Sequence, residues 1–339
     1  MNSFRHKLPR IFSAGFFLFL VGLFLFTAAF GQGKGEIHYM ETGDGAKIRY
    51  SYYSAPGTPH QTVLILQGRS SFIEKHQEVI EDFLKRGCDV WVFDWRGQGG
   101  STRVVNHPQK NHIDSYDTYL KDMDQLVRDH VKPRQKGPLI LFGSSMGGHL
   151  AMRYMEEYPG KVGGAILESP MFHVPTSPFP LFIARPLVRL ICALGFDQAY
   201  VFGWGDFNPH KEKFENNKMT HDEYRFERQR QICIRYCDLV AAGPTFGWVK
   251  ATFDSIDELM NPKKLQAIKE PILIINSGLD SVVNTEFDKE ISTLLPNAHF
   301  KTYQDARHHI VMESDGVRAR FWMDVTHFME KYFKSEKTH

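Results

Sequence analysis

Residues 139–148 constrain this 339-residue chain more than any other stretch. An apolar run at 138–142 predicts a buried strand, and a helix-forming pattern resumes at 149–158. Between them lies Gly143-Ser144-Ser145-Met146-Gly147, a G-x-S-x-G sequence in the strand–turn–helix setting that the motif requires. The glycines have a steric reason. Ser145 would sit on a tight, strained turn with its hydroxyl raised above the sheet, and side chains at 143 or 147 would collide with the neighbouring strand and helix. The same turn aims the Met146 N–H at the place where an oxyanion would form. Alone, the pattern also fits an ordinary strand-to-helix turn, so the rest of the chain has to decide.

The remainder keeps the same alternation. Strands near 37–41 and 47–53 flank Gly43-Asp44-Gly45 and predict a hairpin. Strands at 61–67, 88–94, 139–142, 162–167, 271–276 and 299–303 then alternate with helices at 74–86, 115–130, 149–158, 285–295 and 316–334. Gly87 stops the first of these helices and Ser115 caps the second. This order predicts an α/β fold with a mostly parallel central sheet and helices on both faces. The stretch 169–271 breaks the alternation. It carries Phe172, Phe179, Phe182, Phe196, Tyr200, Phe202, Trp204, Phe207, Phe246 and Trp248, with a charged helical pattern around 220–239. Beside Ser145, an insertion of this kind predicts a helical cap at about 170–265, about half of whose aromatics would serve a small core of their own.

Arg5, Lys7 and Arg10 precede an uncharged run of 20 residues at 11–30. That run predicts a signal-anchor, or a signal peptide cleaved near Thr27-Ala28-Ala29. The basic flank places the bulk of the chain on the exported side, periplasmic or extracellular, and cleavage would make it secreted. Residues 1–35 thus form anchor and linker, and 36–335 the folded domain. Without those three cations the formal net charge of +2 becomes −1, which excludes an electrostatic footprint for nucleic acid. Cys88 falls in a strand and reads as a buried free thiol. Cys233 and Cys237, four apart on an expected helix, suit neither a disulfide nor a zinc site. No metal and no cofactor are assigned.

A serine hydroxyl needs a base, and the base needs an acid to hold it. Asp280 follows the apolar strand at 271–276, and His308 follows the strand ending at 303. Ser145, Asp280 and His308 therefore stand in the order Ser, Asp, His, each at a strand end. His309 competes with His308, and Asp305 and Asp257 compete with Asp280. Asp305 is too close in sequence to His308 and is expected to shape the turn. A second oxyanion donor should come from the loop Gln67-Gly68-Arg69-Ser70-Ser71, where the Arg69 N–H is the candidate.

Gly68-Arg69, Phe72 to His76, the block from Asp94 to Ser101, Gly143 to Gly148 and Ala306 to His308 resemble the bacterial lysophospholipase branch of the α/β-hydrolases. More distantly, the chain is similar to monoacylglycerol lipases. The resemblance covers about residues 36 to 334. It implies Ser145 as nucleophile, Asp280 as acid, His308 as base, and Met146 and Arg69 as oxyanion donors. It implies a serine esterase acting on single-chain lipid esters, lysophospholipids or monoacylglycerols, without a cofactor. The Asp94 block is expected to brace the loops around the site. Gln67 replaces a histidine or proline common in relatives, and Ser71 replaces an acidic residue. Two alternatives remain. One is an aminopeptidase or amidase of the same fold, with Glu168, Asp206 or Glu215 as amine anchor. The other is a catalytically silent, membrane-anchored binding protein.

Overall fold

The computed structural model describes residues 35–334. The run at 11–30, expected as an anchor, lies outside the described residues. Among those described, no helix is long and apolar enough to cross a membrane.

Eight strands form one sheet: β1 (Glu36–Glu41), β2 (Lys47–Tyr53), β3 (Gln61–Leu66), β4 (Cys88–Phe93), β5 (Leu139–Ser144), β6 (Gly164–Glu168), β7 (Ile272–Ser277) and β8 (Ala298–Tyr303). Their spatial order is β1-β2-β4-β3-β5-β6-β7-β8. The hairpin β1–β2 and the β2–β4 pair are antiparallel, and every other pairing is parallel. The central strands are buried on both faces, which is why they read as continuous apolar runs. Side-chain alternation still sorts them. Leu64, Leu66, Trp91, Phe93, Leu139, Leu141 and Ile274 face one core, and Val63, Ile65, Val90, Val92, Ile140, Phe142 and Ile275 face the other.

The first core is covered by α2 (Tyr116–Leu126) and α3 (Met146–Glu157), the second by α1 (Gln77–Leu84) and by a long C-terminal helix described below. The Ser115 hydroxyl accepts the Asp117 N–H at 3.1 Å, the cap that the sequence called for. The predicted helices shift at their ends: α1 is preceded by a short 3₁₀ turn at Ile73–His76, and α2 runs on into a single π turn at Val127–Val131.

Between β6 and β7 lie α4 (Leu181–Ala193), α5 (Glu223–Arg235), α6 (Phe246–Leu259) and α7 (Pro262–Ala267). Trp248, Leu259 and Leu265, from α6 and α7, join the first core. On α4, by contrast, Phe182, Ile183 and Leu190 are exposed, as is Leu194 just past its end. Cys237 lies beyond the end of α5, so Cys233 and Cys237 do not share one helix as the spacing suggested. The chain closes with α8 (Glu286–Leu294) and α9 (Asp315–Phe333).

Candidate active site

Ser145 stands between β5 and α3 with φ 53° and ψ −116°, a region that side-chain-bearing residues seldom occupy. The surroundings enforce this strain. The Ser145 N–H donates to Glu168 O at 3.0 Å, and its carbonyl accepts the Met171 N–H at 2.9 Å. A Cβ on Gly147 would run into the carbonyl oxygen of Leu66, and one on Gly143 would lie 2.6 Å from the Gly147 oxygen. Both glycines are thus required by close backbone approach. Met146 opens α3, so its N–H has no intrahelical acceptor. All three non-glycine residues with positive φ among those described, Ser70, Ser145 and Ser169, border this site.

Asp280 and His308 are brought together from the ends of β7 and β8. The His308 Nδ1–H donates to Asp280 Oδ2 at 2.6 Å, with both side chains buried. The other carboxylate oxygen accepts the N–H groups of Val282 (2.7 Å) and Val283 (3.1 Å), which fixes its orientation. An ionised carboxylate only accepts, so Nδ1 carries the proton and Nε2 is left with its lone pair. Burial pushes His308 below the ordinary histidine value, against the pull of Asp280. Burial opposes the Asp280 charge too, but the bonds from His308, Val282 and Val283 hold the carboxyl below its usual range. The Ser145 hydroxyl makes no hydrogen bond to His308 here. Such nucleophile–base bonds are often long in a free enzyme and shorten when substrate binds.

The two consecutive histidines diverge. The His309 ring lies 3.3 Å from Ser144 Oγ and 3.8 Å from Glu168 Oε2. Glu168 is fully buried, and its other oxygen accepts the Val311 N–H at 2.8 Å. Burial works against its charge, yet His309 and Ser144 hold it below the ordinary glutamate value. Glu168 thus fastens the histidine loop to the end of β6 through the Val311 N–H. Asp206 takes the Tyr200 hydroxyl. Of the rival acids, Asp305 pairs with Arg320 at 2.6 Å and Asp257 with Arg185.

The loop at 67–71 is braced from below. Asp94 accepts the N–H groups of Ile73 (2.9 Å) and Gly100 (2.8 Å), Gln67 Nε2 (3.0 Å) and Arg49 Nη1 (2.9 Å). The bracing expected of the Asp94 block is therefore visible in its bonds. Gln67, the departure from the relatives' pattern, is one of the braces, and Ser71 pairs with His76 at 2.9 Å. A Cβ on Gly68 would lie 3.4 Å from the Ser145 Cβ, so the loop runs against the serine turn.

The insertion is fastened on both sides of this site. Ala242 O accepts Ser70 Oγ–H (3.0 Å) and Arg69 Nη1–H (2.8 Å). On the far side, the N–H groups of His308 and His309 donate to the carbonyls of Lys218 (3.4 Å) and Met219 (2.9 Å). These fastenings and the Glu168 brace were not found from the sequence. Away from the site, His112, Asp114 and Asp197 bring possible ligand atoms within 4.8 Å of one another. There His112 Nδ1 meets Thr245 Oγ1 at 2.7 Å and Nε2 meets Asp114 at 3.0 Å, which ties the loop before α2 to the insertion.

Comparison with known proteins agrees with this architecture. Residues 57–315 match the family model described as serine aminopeptidase, S33. The probable lysophospholipase L2 of Haemophilus influenzae is 29% identical over 297 residues, covering 86% of this chain and 91% of the relative. The lysophospholipase L2 of Escherichia coli K12 is 25% identical over 267 residues, 76% of this chain and 77% of the relative. A soluble variant of the monoglyceride lipase of Saccharomyces cerevisiae superposes with a TM-score of 0.71 at 19% identity, over 90% of this chain and 97% of that one. At that identity the likeness speaks for the α/β-hydrolase fold.

Proposed function

The chain belongs to the serine aminopeptidase S33 family, and from that premise we propose that it hydrolyses the acyl ester of single-chain lipids, lysophospholipids or monoacylglycerols. It is a serine ester hydrolase of the lysophospholipase and monoglyceride lipase type. The reading is carried by the buried His308–Asp280 pair at 2.6 Å, set at the strand ends beside the strained Ser145 turn.

In this mechanism His308 Nε2 takes the Ser145 proton as the hydroxyl oxygen attacks the ester carbonyl. Asp280 orients the imidazole and stabilises the imidazolium that forms. The N–H groups of Met146 and Arg69 hold the negative oxygen of the tetrahedral intermediate. That intermediate collapses by expelling the alcohol, which leaves with the proton from His308. Water then attacks the acyl-Ser145 ester by the same route and releases the fatty acid. The insertion at about 170–265 acts as a cap that supplies the apolar surface for the acyl chain. The uncharged run at 11–30 supports tethering of the domain on the exported face of a membrane, which protease accessibility of intact cells would test.

The deciding experiment is fatty-acid release from lysophosphatidylcholine, monoolein and short p-nitrophenyl esters, with Ser145→Ala beside the parent. Serine-dependent release from the lipids is expected, with Ser145→Ala about 10⁶-fold slower. Turnover of short esters alone would move the reading to a general carboxylesterase. With no serine-dependent turnover, labelling of Ser145 by a fluorophosphonate would leave an amidase, and failure to label would leave a silent binding protein.

A further inference from the structure

Arg49, Arg96, Arg225 and Arg318 each hold a carboxylate. Arg69 does not. Its Nη1 donates to Ala242 O and to Ser70 Oγ, and its guanidinium rests against Trp204 and Trp248, whose ring centres lie 5.0 and 5.5 Å from Cζ. Burial lowers it to about 10, and the ionisable groups acting on it are the phenols of Tyr116 and Tyr119, with no acid among them. A half-buried cation without a counter-ion is partly desolvated, and an anion that joins it relieves that cost.

Behind it, Gln98 and Trp248 both direct their donors at the Tyr119 phenol, and Gln98 Oε1 accepts the Ser70 N–H at 2.7 Å, so these groups answer one another. The guanidinium is the group left without a charged partner, and Arg is the side chain whose fork matches phosphate. The position is apt as well. Arg69 follows Gly68, and a Cβ on Gly68 would lie 3.4 Å from the Ser145 Cβ, so the loop that carries the charge abuts the serine turn.

We propose that the Arg69 guanidinium is a subsite for a phosphate group, and that it makes the enzyme favour phosphate-bearing single-chain lipids over neutral monoacylglycerols. The lipid part of this inference rests on the ester hydrolase reading. Phosphate recognition by itself does not.

The test compares kcat/KM for oleoyl lysophosphatidic acid and monoolein in the parent, Arg69→Lys and Arg69→Met, with circular dichroism as the check on folding. The parent is expected to prefer the phospholipid. In Arg69→Met the ratio of the two values falls about 10–100-fold, and Arg69→Lys, which keeps the charge, lies between. Equal losses on both lipids would assign Arg69 to fastening the insertion and overturn the proposal. So would a parent without preference. Glycerol 3-phosphate and inorganic phosphate are titrated calorimetrically against the same three proteins. Glycerol 3-phosphate binding that is lost in Arg69→Met supports the subsite even if neither lipid is turned over, so the two readings fail separately. Binding of inorganic phosphate with an unchanged lipid ratio would make it a free-anion site and overturn the lipid preference. If Arg69→Met does not fold, the Arg69→Lys ratio and titration decide.

Discussion

At the carboxyl ends of the strands the side chains are buried and bonded: Asp280, His308, Glu168 and Asp94 are each within 2% of full burial or held by several donors. Across the insertion, Phe182, Leu194, Phe196 and Phe202 are 60–77% exposed. The two regions meet over one site yet follow opposite rules. Where bonds must break, geometry is set in advance by backbone amides and buried ion pairs, which need no reorganisation during the reaction. In the proposed function, this uncovered surface is what an acyl chain would cover.

The largest effect should come from the reactive side of this contrast. Asp280→Asn is expected to lower kcat about 10⁴-fold with little change in KM, because the amide no longer favours the required histidine tautomer. A fall confined to KM would mean that the pair is not preorganised. Next, Gly147→Ala should cost at least about 1–3 kcal/mol in chemical denaturation, since its Cβ meets the rigid Leu66 carbonyl. A milder cost would show that the turn can yield.

The pH dependence is subtler. His308 accepts a proton only when neutral, so kcat/KM falls as pH drops through its pKa. Burial lowers that pKa, so the acid limb is expected below about 6.5. A limb at or above that value would show a wet site and weaken the contrast. The smallest effect belongs to the insertion. Phe182→Ser and Phe202→Ser should each change stability by less than about 0.5 kcal/mol while raising KM for long-chain esters.

What could be read in the sequence follows the same division. The Ser, Asp, His order and the central strands are visible there, because two-sided burial writes continuous apolar runs and strand-end polar residues stand out against them, while the hairpin β1–β2 shows through alternation and its Gly-Asp-Gly turn. Strand edges moved slightly: β5 extends to Ser144 and β6 starts at Gly164. The aromatics of the insertion could not be sorted from composition alone. Phe172, Phe246 and Trp248 are buried, whereas Phe179 and Trp204 are exposed, and only tertiary packing decides which. Glu168 was legible as a carboxylate near the site but not as a brace, because its partners His309 and Val311 lie more than 140 residues away.

Because the insertion bonds to the loop at 67–71 through Ala242 and to the histidine loop through Lys218 and Met219, it cannot be treated as an interchangeable module. Excising it, or grafting one from a relative, would leave both loops without an abutment. Engineering of substrate range should therefore replace exposed residues of α4 one at a time and leave residues 217–221 and 240–245 untouched.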